Sequence, residues 1–271
     1  MGAGSWRLCT GHFGALRPVH APELLCVERG RHGRALPRGY SVAMEAARTM
    51  ESIGAALGPG RFHLVGWSYG AQIALEIALA HRERIARLTV IEPPAFWVLP
   101  GHGAADPEAR AAAEFYLGLA GEIRDAQLER FLACAGITLD PARDQDPALR
   151  ARLRRFRASL RASFAAVRCA GDPGRLAAFD RPVMVVIGQG TAGFLARIAE
   201  TIAASVAGAR VHRLPGGHLC HLADAGRFNA LLERFIGHAE GGSHQADGGV
   251  EAFTGGPHPD GAAPTTNPDG R

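Results

Sequence analysis

The run Phe62-His-Leu-Val-Gly-Trp67 is apolar almost throughout and passes without a break into Gly66-Trp67-Ser68-Tyr69-Gly70 and then an alanine-rich stretch, 71–80. Read as structure, that is a buried strand, a tight turn and a helix in immediate succession. The rest of the chain repeats the alternation. Further strand candidates lie at 23–27, 87–92, 182–187 and 209–214. Most of them are continuous apolar runs rather than in-out alternations, which suits strands covered on both faces. Between them, 42–57 sets Met50, Ile53 and Leu57 on one helical stripe, and 192–207 does so with Phe194, Ile198, Ile202 and Val206. A last helix from about Ala225 carries Phe228, Leu231, Leu232 and Phe235. The expected fold class is α/β: a mostly parallel sheet with helices on both faces.

The alternation stops between about 97 and 179. Asp106-Pro107 and Asp146-Pro147 each pair an N-cap with proline at the first helical position, so a helix is expected to start at each. Leu149, Leu153, Phe156, Leu160, Phe164 and Val167 then recur at helical spacing, with arginines mostly on the flanks of that stripe. These patterns predict a helical cap, 97–179, inserted into a core made of 1–96 and 180–237. Residues 238–271 are rich in Gly, Pro, Asp, Thr and His, and are expected to be a disordered tail.

Composition removes several classes of function. The net charge is +4, yet all 30 basic residues are Arg and none is Lys, and they are spread along the chain. That reads as a solvated surface rather than a nucleic-acid footprint. No apolar run approaches the roughly 18 residues of a membrane span. The five cysteines are odd in number and show no paired spacing, which suits a reduced compartment. With no recognisable signal peptide, the expected location is the cytoplasm, and the expected partner is a small-molecule substrate. Oligomeric state is not legible.

In a chain with 35 glycines the pattern G-x-S-x-G is weak by itself. Its position between strand and helix gives it weight. A serine there sits in a strained turn above the sheet edge, where a base can reach it. Gly66 and Gly70 are both expected to be glycine because strand and helix pass too close for a Cβ. The helix N-terminus offers the backbone N–H of Tyr69 to a developing oxyanion. Leu214-Pro-Gly-Gly-His218 follows the last strand, so His218 is the candidate base for the nucleophile Ser68. His221 could pair with His218 on a metal, but no third ligand has suitable spacing. His221 and Cys220 read better as packing, and neither a metal nor a cofactor is expected.

These residues resemble the α/β-hydrolase superfamily in its lidded, esterase-like branch, over about residues 5–237. The likeness rests on Gly66–Gly70, on Leu88–Glu92 with Pro93-Pro94, and on Pro215–Phe235. It implies an eight-stranded sheet, a helical cap and no cofactor. Arg29-Gly30-Arg31-His32-Gly33 is similar to the loop such enzymes place after their fourth strand. Members commonly carry an Asp after the strand matching 182–187; here that stretch is Gly188-Gln-Gly-Thr-Ala-Gly193, without a carboxylate. A minority use a carboxylate one strand earlier, which makes Glu92 the acid implied. At the N-terminus, Gly2–Trp6 looks like the stretch after the family's His-Gly oxyanion loop, as if three strands preceded it. A rival register makes Trp6–Thr10 a strand and Gly11–Gly14 that loop.

The implied activity is hydrolysis of an ester, thioester or lactone through an acyl-enzyme. Phe96 and Trp97 would line an apolar acyl pocket or simply pack the cap. Carbon–carbon hydrolases and cofactor-free haloperoxidases share the serine, whereas epoxide hydrolases and haloalkane dehalogenases need a carboxylate there. The alternative is a non-catalytic protein on the same fold. A third reading, a polyanion-binding surface on helix 147–168, has only that helix's arginines behind it.

Overall fold

Four parallel strands form the sheet in the computed structural model, which describes residues 3–119, 122–137 and 156–237. They are β1 (Phe62–Trp67), β2 (Ile85–Ile91), β3 (Val183–Gly188) and β4 (Arg210–Leu214), side by side in that order. Parallel neighbours need crossover connections, and helices supply them on both faces. Alternate residues of one strand therefore enter two different cores. Val183, Val185 and Ile187 join Ile53, Ile73, Ile77, Phe194 and Ile198. Met184 and Val186 join Phe13, Phe228 and Leu232 on the other side. This is why β3 is apolar without alternation; each such side chain fully removed from water contributes about 1.5–3 kcal/mol.

The helices expected at 42–57, 71–80, 192–207 and from about Ala225 keep close to those bounds. Arg7–Gly14 is α1, Leu25–Arg31 is α2, Val42–Leu57 is α3 and Tyr69–Ala80 is α4. The hydroxyl of Ser41 caps α3 by accepting from Met44 N, and Gly58 ends it at φ 72°. Helices Gly193–Ser205 and Ala225–Gly237 cover the second half of the sheet. Every described element between Phe96 and Ala177 is helical. Asp106 accepts from the N–H groups of Glu108 and Ala109, as a cap should. It also binds Arg197 Nε at 2.5 Å, tying this segment to helix Gly193–Ser205. The Asp146-Pro147 cap, Leu149, Leu153 and the stretch 238–271 lie outside the described residues.

Three expectations are corrected. The run 23–27 is not a strand: Leu24 is extended, and α2 begins at Leu25. Its first amides have a ready acceptor, because the buried carboxylate of Glu45 on α3 accepts from Leu25 N at 2.9 Å and Cys26 N at 2.8 Å. A five-residue apolar run cannot by itself separate strand from helix, and a cap supplied from twenty residues away decides it. The stretch Arg29–Gly33 likewise belongs to the last turn of α2 as far as Arg31, with only His32 and Gly33 in the turn beyond. Trp6–Thr10 is no strand either, since α1 spans Arg7–Gly14 with Phe13 in the core. Of the eight strands the resemblance implied, the described residues form four, and β1 bears on a strand neighbour at one edge only.

Candidate active site

Residues at the carboxyl ends of β1, β2 and β3 meet because the strands are in register. Trp67 pairs with Ile91, and Ile91 with Val186. Ser68 and Glu92 are thus the next residues out from two adjacent strands. Both adopt left-handed backbone, at φ 54° and φ 46°, a conformation that costs a non-glycine residue on the order of 1–3 kcal/mol and that the surroundings must impose. One imposing contact is Ser68 N donating to Ile91 O at 2.8 Å. Gly66 is a second. A Cβ there would meet Ala71 Cα and Gly70 O at 2.5 Å, so only glycine lets α4 return over β1 this closely. Gly70 differs from expectation: a Cβ there would meet nothing within 4 Å. The Gly70 backbone itself lies against Gly66, but a Cβ on Gly70 would point into open space.

The Ser68 hydroxyl lies 2.8 Å from His218 Nε2, and His218 Nδ1 lies 2.6 Å from Glu92 Oε2. With the carboxylate accepting from Nδ1–H, Nε2 keeps its lone pair for the serine proton. Trp67 Nε1 donates to His218 O at 2.7 Å and holds the loop that carries the imidazole. Glu92 is fully buried and His218 nearly so. A buried carboxylate is costly unless donors surround it. Glu92 has three: His218 Nδ1, Gly188 N at 2.6 Å and the Thr191 hydroxyl at 2.8 Å.

Two of those donors come from the Gly188–Gly193 loop, which sequence reasoning noted only for lacking a carboxylate. Thr191 lies 99 residues from Glu92 in the chain, and no local pattern marks it. A Cβ on Gly188 would approach Gly217 O to 2.2 Å, so this glycine lets the loops carrying Thr191 and His218 pack together.

Tyr69 opens α4, so its N–H has no intrahelical acceptor and points from the end of the helix beside Ser68. Ser68, Tyr69 and His218 line one cavity of about 590 Å³, walled by Ile73, Ile77, Leu132, Phe156 and Leu160 and flanked along its length by β1. Phe96 and Trp97 do not line it. Phe96 stacks on Phe194 at 5.7 Å, and Trp97 packs so tightly on Gly171 that a Cβ there would fall 2.2 Å from the indole. Of the two readings, packing is the one observed.

His221 is buried against Trp67, Trp6 and Phe228. Neither ring nitrogen has a hydrogen-bond partner. Burial, with a smaller contribution from His218, pushes its pKa down to about 3. Cys220 is buried too, and burial pushes its thiol up to about 12. Among the described residues, no group of three His, Cys, Asp or Glu side chains could hold a metal ion.

A family profile described as the alpha/beta hydrolase family matches residues 1–231. The chain belongs to that family. Within it, this hydrolase is similar to a putative carbamate hydrolase of Variovorax paradoxus, 28% identical over 213 residues, 76% of this chain and 77% of the relative. It also resembles a pimeloyl-[acyl-carrier protein] methyl ester esterase of Aeromonas hydrophila at 37% identity, over 35% of this chain and only 37% of that protein. Among solved structures, a hydrolase from Pseudomonas aeruginosa superposes with a TM-score of 0.55 at 29% identity, covering 73% of this chain and 72% of the other. The expected fold class, and the expectation of an α/β-fold hydrolase, stand on these matches.

Proposed function

We propose that this hydrolase cleaves an ester, thioester or lactone of a small apolar substrate through an acyl-enzyme on Ser68. The observation that carries the reading is the unbroken hydrogen-bonded series from Ser68 Oγ through His218 to Glu92. His218 Nε2 takes the serine proton as Oγ attacks the carbonyl carbon. Glu92 holds the imidazole in the required tautomer and stabilises its charged form. The Tyr69 N–H faces the oxygen that becomes negative. Collapse of the tetrahedral species breaks the bond to the leaving group, which departs with the proton from His218. A water, deprotonated by the same nitrogen, then releases the acyl group as a carboxylic acid.

Apolar walls around Ser68 favour an apolar acyl or alkyl portion. The relatives named above are an esterase and a putative carbamate hydrolase, and both substrates present a carbonyl carbon bonded to a leaving heteroatom. Segment 97–179 contributes Leu132, Phe156 and Leu160 to the cavity, and we read it as a cap on a core of 1–96 and 180–237. All five cysteines are unpaired, and no described helix is long and apolar enough to cross a membrane. Both fit a cytoplasmic enzyme with a small-molecule substrate.

Labelling with a fluorophosphonate probe tests the reading. Wild-type protein should react, and Ser68→Ala should not. Folded wild type that stays unlabelled would favour the second reading, a non-catalytic protein on this fold. One observation speaks for that alternative: β1, which carries Ser68, has a strand neighbour on one side only among the described residues.

A further inference from the structure

A second hydrogen-bonded series runs up to the nucleophile turn from the opposite side and takes no part in the chemistry above. It starts at Glu45, which is fully buried. Its carboxyl oxygens meet three groups: Leu25 N at 2.9 Å, Cys26 N at 2.8 Å and the Tyr40 hydroxyl at 2.6 Å. Two of these can only donate, and they occupy both oxygens. The Tyr40 hydroxyl is the donor in the third contact, so the Glu45 carboxyl accepts from all three.

That assignment fixes the direction of the next bond. A phenol has one proton, and Tyr40 has committed it to Glu45. At the 3.1 Å contact between the Tyr40 and Tyr69 hydroxyls, Tyr40 therefore accepts and Tyr69 donates. Tyr69 lies next to Ser68 and lines the same cavity. Burial raises the pKa of both phenols above the ordinary tyrosine range, so neither ionises near neutral pH. With its proton turned inward, Tyr69 has only oxygen lone pairs left for a ligand.

We infer that the Tyr69 hydroxyl is a hydrogen-bond acceptor in the substrate cavity and selects acyl groups bearing an O–H or N–H donor, its polarity set by Glu45 through Tyr40. The substrate class narrows from apolar acyl compounds to largely apolar acyl compounds with one donor, such as hydroxyacyl esters. Tyr69 is the specificity-determining residue; Tyr40 and Glu45 position its proton. An acceptor on a largely apolar wall discriminates because a ligand that cannot donate leaves it without a partner. This inference rests on the cavity being the acyl site of the proposed hydrolase.

Calorimetric binding to the Ser68→Ala protein tests it without turnover. The probes are the anilides of α-, β- and γ-hydroxyhexanoic acid, each beside its methyl ether, with hexananilide as reference. At one position at least, the alcohol should bind about three- to tenfold more tightly than its ether and the reference, the range a single net hydrogen bond supplies. Adding Tyr69→Phe should bring all three to the same affinity. Adding Tyr40→Phe should release the Tyr69 proton toward the cavity, so that the ether overtakes the reference and the alcohol loses its advantage over the ether. A merely structural role for Tyr40 would not produce that reversal.

Equal affinity for alcohols, ethers and reference, no binding of any probe, or an unchanged preference in a folded Tyr40→Phe protein overturns the inference. Should Tyr40→Phe not fold, the Tyr69→Phe comparison decides alone. Hydrolysis of the matching phenyl esters by protein with Ser68 intact is scored separately. Turnover with no preference for the alcohol defeats this inference and leaves the proposed function standing. A binding preference without turnover does the reverse.

Discussion

The carboxylate of Glu92 and Nδ1 of His218 lie 2.6 Å apart across 126 residues of chain. Parallel register brings them there. Glu92 follows the last residue of β2, between the ends of β1 and β3, so one side chain can receive the amide of Gly188 and the imidazole of His218 together. A left-handed turn at Glu92 aims it. The position of Glu92 therefore depends on a strand end and not on a loop of its own.

Glu92→Gln should lower kcat on an activated ester by roughly 10³–10⁴-fold, the scale seen when an amide cannot hold a histidine in its working tautomer. Far-ultraviolet circular dichroism should stay native. A folded variant with wild-type turnover would remove Glu92 from the mechanism.

Thr191→Val deletes one of the three donors to Glu92 while keeping volume and the His218 contact. A single lost hydrogen bond is worth about 0.5–1.5 kcal/mol net, so kcat should fall by roughly three- to tenfold. A loss as large as that of Glu92→Gln would mean that the threonine does more than orient the carboxylate.

The two glycines of the Ser68 turn should part company under the same substitution. Gly66→Ala drives a methyl into the backbone of Gly70 and Ala71, and overpacking of this kind costs about 1–3 kcal/mol. It should lower Tm and abolish fluorophosphonate labelling. Gly70→Ala meets nothing and should be neutral or slightly stabilising, since alanine outperforms glycine in a helix. Similar melting temperatures for the two variants would contradict the close approach at residue 66.

Acid should destabilise the fold through His221. Its folded pKa of about 3 is depressed below the ordinary value of 6.5. The unfolded chain therefore binds more protons between those limits, and stability falls as pH drops through that window. The slope from this one group is at most about 1.4 kcal/mol per pH unit, and above about pH 6.5 it contributes none. His221→Phe, packing against Trp6, Trp67 and Phe228, should flatten the acid limb of stability measured by urea titration between pH 4 and about pH 7. An acid limb as steep as that of wild type would show that other groups carry it.

What was legible in the sequence was what short stretches encode. The strand candidates at 62–67, 87–92, 182–187 and 209–214 marked β1 through β4 within a residue or two, and a 3.6-residue period marked α3 and the helix at Gly193–Ser205. The strand–turn–helix around Ser68 and the loop before His218 were readable because each is a local pattern with its own chemistry. Tertiary structure decided the rest, and the reason is distance along the chain. Residues 23–27 became the start of a helix because Glu45, twenty positions on, caps its amides. Gly70 proved free of the constraint on Gly66 because helix direction, not motif membership, sets the clearance. Thr191 and the Tyr40–Tyr69 bond became visible only once separate strand ends and helices shared one rim of the sheet. Periodicity records which way a side chain faces; it carries no information about which distant side chain it will meet.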